Sequence, residues 1–151
     1  MTKREQAPRR LRDAWDARDT ARDAVASGKA RNACMNAQLA VEMAAKAIIA
    51  QFAEPQWTHR PSPQLRDLLL LDDRALEAFL GPAARADLLR LAGDVDAAAE
   101  WHGWSTYGRK LQDGTYQAAV DVCTIDAARD LLARAEHAVA LASRACAADD
   151  R

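Results

Sequence analysis

The chain has 151 residues, half of them hydrophobic, with 28% charged residues, 6 glycines and 5 prolines. That length suits one domain able to bury roughly 68–70% of its unfolded surface without staples, and an apolar share carried by Ala and Leu rather than by β-branched or aromatic residues makes an all-α domain the expectation. A formal net charge of −1 excludes a global electrostatic footprint for nucleic acid, so any such binding must be local, and no apolar run approaches the length needed to cross a bilayer.

The N-terminal MTKREQAPRRLRD lacks the uninterrupted apolar core of a signal peptide, so a soluble, cytoplasmic protein is expected. Lys3, Arg4, Arg9, Arg10 and Arg12 are opposed there only by Glu5 and read as a solubilising basic stretch. Residues 1–8 are assigned to a flexible basic tail and 9–148 to a single helical-bundle domain. A first helix is predicted from about Pro8 to Ala26, with Leu11, Ala14, Trp15, Ala21 and Val25 on one face and Ser27-Gly28 as its stop.

Arg31 to Phe52 is the most informative stretch. Cys34, Ala37, Val41, Ala44, Ile48 and Phe52 recur at helical spacing, and Met35, Leu39, Met43, Ala47 and Ala50 continue the apolar surface round the same cylinder. Such a helix is buried on most sides. At 100° per residue Arg31, Gln38, Glu42 and Lys46 share one sector. The plain reading of this seam is a solvated face with a local Glu42–Lys46 pair; the alternative is a ligand surface.

AEPQWTHRPSP, after Phe52, holds three prolines that cannot donate backbone N–H groups, and it reads as a loop. Ser62-Pro63 then looks like an N-cap followed by Pro at the first helical position, opening a short helix through Leu65, Leu68 and Leu69. Asp72-Asp73 restarts a turn or two as far as Gly81-Pro82, and Ala83 to Trp101 continues with Leu88, Leu91, Ala92 and Val95 inward. From His102 to Cys123 the periodicity fails, and LQDGTYQ suggests a small hairpin about Asp113-Gly114. The last helix opens at Thr124 as N-cap, with Ile125, Ala128, Leu132, Ala135, Val139, Ala142 and Cys146 forming a seam. The whole is expected to be an antiparallel up-down bundle of four to five helices.

This order, with AQLAVEMAAKAII at Ala37–Ile49 and Thr58-His59 leading into Leu65 and Leu68-Leu69, resembles the HEPN family of nucleotide-associated helical bundles. Active HEPN ribonucleases carry an Arg, four to six residues and then a His, so that the imidazole moves a proton at the ribose 2′-hydroxyl while the guanidinium holds the phosphate. Here the positions preceding His59 hold Phe52, Ala53 and Glu54; those preceding His102 hold Val95, Asp96 and Ala97; those preceding His137 hold Asp130, Leu131 and Leu132. No catalytic residue is therefore assigned. Thr106-Tyr107-Gly108-Arg109 stands where the family has an Arg-Tyr-Pro-Asp-like segment, without its Arg and Pro. The resemblance implies a HEPN-like non-catalytic domain that binds a nucleotide or RNA or a nucleotidyltransferase-type partner, as in a toxin-antitoxin or defence pair, and that dimerises through a helical face. The candidate ligand contacts are Lys46, His59, Arg60, Tyr107 and Arg109. The competing class is an RNA-cleaving HEPN toxin using a substituted constellation such as Arg60 with His59; a purely structural bundle is the third.

Other chemistries have less support. The three histidines, at 59, 102 and 137, form no Glu-x-x-His or His-x-x-x-His pair, so no metal and no cofactor is assigned. Cys34, Cys123 and Cys146 contain no C-x-x-C pair and read as reduced core thiols, Cys123 as a buried residue at a helix start rather than a nucleophile. Trp101, Trp104, Tyr107 and Tyr116 either plug the end of the bundle or stack on bases, and exposure of Trp104 and Tyr107 decides between the two.

Overall fold

The computed structural model describes residues 2–148; the ends at 1 and 149–151, and the basic side chains of residues 3 and 4, lie outside what it describes. α1 (Lys3–Ala26) begins earlier than its apolar pattern, because Thr2 and Glu5 form a capping box in which the Thr2 hydroxyl accepts from the Glu5 N–H and the Glu5 carboxylate accepts from the Thr2 N–H at 2.6 Å. Residues 3–8, expected in a tail, are thus helical, with Pro8 inside the helix. The helix ends in a Schellman motif: Lys29 N–H bonds Ala24 O, Gly28 N–H bonds Val25 O, and Gly28 takes a φ of +70°.

That turn reverses the chain into α2 (Ala30–Ala50), the centre of the fold. Ala33, Cys34, Ala37, Ala40, Val41, Ala44, Ala45, Ala47, Ile48 and Ile49 are all buried. Ala14, Ala17, Ala21 and Ala24 of α1 are buried in the same core, small side chains that let helix backbones approach closely, and α1, α2 and α8 (Ile125–Ala147) all pack on one another. Trp15 is too large for the alanine stripe and sits at its edge, 39% exposed, donating from Nε1 to Ser143 on α8. The architecture is an all-α antiparallel bundle, as expected.

The polar seam of α2 is not solvated. Gln38, Glu42 and Lys46 are buried because they satisfy one another, while Met35 and Leu39 face solvent in their stead.

α3 (Ser62–Asp67), a single tight turn at Leu68–Leu70, and α4 (Asp73–Leu80) lead to α5 (Ala84–Ala99). Asp72 caps α4 through its bond from the Ala75 N–H. Ser62 does not cap α3: its hydroxyl donates to Asp96 on α5 instead, and Pro61 occupies the cap position. Past α5 the chain remains helical as α6 (Trp101–Tyr107), beyond the predicted loss of pattern at His102, because Gly103 is tolerated and the breaker is Gly108, at φ +82°. The predicted hairpin forms, with β1 (Arg109–Lys110) antiparallel to β2 (Tyr116–Gln117) about Gly114. A short unpredicted α7 (Ala119–Val122) precedes α8, whose start is capped by Thr124 accepting from the Ala127 N–H at 3.1 Å. No helix among the described residues is long and apolar enough to cross a membrane.

Candidate functional site

The loop from residue 51 to 61 and helix α6 both lie along the polar side of α2, and the site grows from Glu42. Its Oε1 accepts from Lys46 Nζ at 2.7 Å; its Oε2 accepts from Gln38 Nε2 at 3.0 Å and faces His59 Nδ1 at 3.2 Å. Burial alone pushes this carboxyl up, but the bonds from Lys46 and Gln38, the Lys46 charge and the His59 contact outweigh it and hold it below the ordinary carboxylate range. Glu42 is a buried anion with three partners on two oxygens.

His59 is held over it by the proline loop, which is pinned at both ends. Gln64 Nε2 donates to Glu54 O at 2.7 Å, Gln56 N–H donates to Gln64 Oε1 at 3.0 Å, and Asp96 receives both the Ser62 hydroxyl and Arg66, the latter at 2.6 Å. The His59 ring is 59% exposed and stacks on His102 of α6, with centroids 3.7 Å apart and planes at 19°. Arg31, at the start of α2, donates to the carbonyl oxygens of Ser105 and Thr106 and thereby fixes α6 against α2.

Two hollows meet at His102. One, of about 220 Å³, lies toward Met35, Asn36 and Leu39; the other, an open groove of about 380 Å³, runs past His59, Arg60, Glu100, Trp104 and Tyr107. The latter falls within the roughly 300–1,000 Å³ of small-ligand sites.

Of the five candidate contacts, His59, Arg60 and Tyr107 line this groove. Arg60 stands 3.9 Å from Glu100, an exposed and weak pairing. Arg109 lies at the rim, its guanidinium 5.1 Å over the Trp104 ring and bonded to Gln117 at 2.9 Å. Lys46 is elsewhere: it is buried behind Glu42 and spends its charge there. Tyr107 is 74% exposed, whereas Trp104 is half-buried, edge-on to Trp101 at 5.2 Å; the aromatic group both plugs the bundle and offers a face to solvent. Sequence spacing missed Glu42 and His102 as site residues because they and His59 converge from three separate segments, and helical spacing registers only neighbours on one helix.

A sequence model of the HEPN domain matches residues 7–145. No curated protein and no solved structure matches the chain. Because the match runs through α1 and almost to the end of α8, taking in every element that builds the groove, the chain belongs to the HEPN domain family.

Proposed function

We propose that this HEPN domain is a binding module for a phosphate-bearing ligand, a nucleotide or the end of an RNA, held in the groove beside His59 and His102. The observation that carries this reading is the convergence of Arg60 and Tyr107, with Arg109 over Trp104 at the rim, on one open groove of nucleotide size. An arginine offers forked donors to a phosphate, and an exposed tyrosine face accepts a base at about 1–3 kcal/mol per stacked ring. The same reading includes a homodimer and a nucleotidyltransferase-type partner of the kind found in toxin-antitoxin or defence pairs, for which family membership is the support.

A thermal-shift titration with mono- and trinucleotides tests the ligand. Saturation at about 100 times the dissociation constant adds about 2.7 kcal/mol of stability, and Arg60→Ala and Tyr107→Ala should each remove most of it. No shift with any nucleotide, together with no co-purifying protein, would overturn the reading. Light scattering on the purified chain tests the dimer.

One observation favours a second reading, RNA cleavage. With Nδ1–H donated to Glu42, His59 turns Nε2 outward as a general base, next to Arg60 for the phosphate. Cleavage also needs an acid across the scissile phosphate, and His102, stacked 3.7 Å from His59, leaves no room for a phosphate between the rings. RNA hydrolysis that disappears in His59→Ala would replace binding by cleavage.

A further inference from the structure

Glu42, His59 and His102 each bring a ligand atom to within 4.8 Å of the other two. We propose that these three residues form a binding site for one divalent first-row transition-metal cation, zinc(II) being the first choice, with a fourth coordination position open toward the groove.

The donor set decides the class of cation. Two imidazole nitrogens and one carboxylate oxygen suit zinc, cobalt or iron; calcium and magnesium take nearly all-oxygen shells. The separation fits as well. With metal–nitrogen and metal–oxygen bonds both about 2.1 Å, the 3.2 Å between His59 Nδ1 and Glu42 Oε2 corresponds to an angle of about 100° at the metal, between octahedral and tetrahedral values. Three protein ligands with one position left free is the arrangement of catalytic rather than structural zinc sites.

The surroundings are those of a supported ligand set. Lys46 holds Glu42 Oε1, so the carboxylate ligates through Oε2 alone, and Gln38 fixes that oxygen from the other side. The lone pairs of the stacked rings lie in nearly parallel planes, with centroids 3.7 Å apart, and cannot converge on one point, so one ring must turn for both to meet the cation. His102 stands exposed on α6 with the hollow toward Met35 beside it and has space to turn. The ion would replace the His59 to Glu42 hydrogen bond, so cation binding and base catalysis by His59 are alternatives.

Isothermal titration of the tag-free full chain with zinc chloride, and optical titration with cobalt(II), test the site without any nucleotide; the cation site therefore stands or falls separately from the nucleotide reading. The expected result is one cation per chain and visible cobalt bands without the sulfur charge-transfer absorption that cysteine ligation produces. His59→Ala and His102→Ala should each weaken binding at least tenfold, while His137→Ala, on α8, leaves it unchanged. Absence of saturable binding, or a loss of less than tenfold in either ligand variant, would overturn the proposal. Both substitutions fall on exposed rings, and circular dichroism confirms that the variants remain folded.

Discussion

Lys46 and Glu42 stand 2.7 Å apart, one turn apart on α2, with 7% and 4% of their side chains exposed. An i, i+4 pair on a solvated helix is worth a few tenths of a kcal/mol, but this one lies inside the bundle, and the consequence of breaking it is different in kind. Lys46→Ala leaves a buried carboxylate with only Gln38 and the exposed His59 as partners. The expected loss is roughly 3–5 kcal/mol of unfolding free energy, read from urea titration, whereas the double substitution Glu42→Leu with Lys46→Met should return most of it. A loss below 1 kcal/mol in the single variant would mean that water reaches the pair.

Acid should loosen the loop that carries His59. Burial raises the Asp96 carboxyl, but the bonds from Arg66 and Ser62 and the charges of Arg66 and Arg60 outweigh it and hold it below its ordinary 3.8. A carboxyl depressed in the folded state contributes stability above its unfolded pKa and loses it as pH falls through the folded one. The urea midpoint should therefore be independent of pH around pH 6, where the Asp96 contribution is fully present, and should drop as pH falls below about 3.8, with Asp96→Asn lowering the midpoint at pH 6 and flattening the acid limb. Because half of the Asp96 side chain is exposed, solvent screening keeps the effect small. An unchanged acid limb in the variant would remove Asp96 from the account.

The bundle was legible because its code is local. Alanine recurring at helical spacing fixed α2 as central, Thr124 and Asp72 marked helix starts, Gly28 marked a stop, and Asp113-Gly114 marked a hairpin. What spacing along one helix does not carry is which polar groups find partners from elsewhere. Gln38, Glu42 and Lys46 look like any solvated stripe until the proline loop lays His59 on it, and Ser62 looks like a cap until Asp96 claims its hydroxyl. The candidate contacts His59, Arg60 and Tyr107 meet at the groove, whereas Lys46, on the helix, lies buried beside Glu42.

Gly108 ends α6 at φ +82°, and a β-carbon there would collide with the Gln117 carbonyl oxygen and the Tyr116 ring, whose hydroxyl donates to Tyr107 O. Gly108→Ala combines a backbone conformation, φ +82° with ψ −165°, that is essentially reserved for glycine with displacement of β2. The expected loss is about 1–3 kcal/mol, accompanied by a changed near-ultraviolet signal from Trp104 and Tyr116. Gly103→Ala is the control, since its added methyl meets nothing within 4 Å and its φ is ordinary for a helix; it should be neutral or slightly stabilising. Equal losses in the two variants would contradict the hairpin packing.

The three thiols should differ sharply in reactivity, and the order follows from burial. Cys34, wholly buried on α2, has its thiol pushed up to about 12, first by desolvation and then by the neighbouring Cys123, which is itself raised mainly by desolvation. Only the thiolate attacks an alkylating reagent, so at pH 8 neither residue should react in the folded protein. Cys146, half-buried near the end of α8 and accepting from Gln51 Nε2 at 3.4 Å, is reached by fraying of the helix end and should be labelled first. A folded thiol held neutral contributes stability below its unfolded pKa, near 9, and loses it as pH rises toward 12. Alkylation followed by peptide mass mapping should therefore show Cys146 alone modified at pH 8, and Cys34 joining only in denaturant or at strongly alkaline pH. Early labelling of Cys34 in the native state would contradict the central position of α2, on which the placement of Glu42 beneath His59 depends.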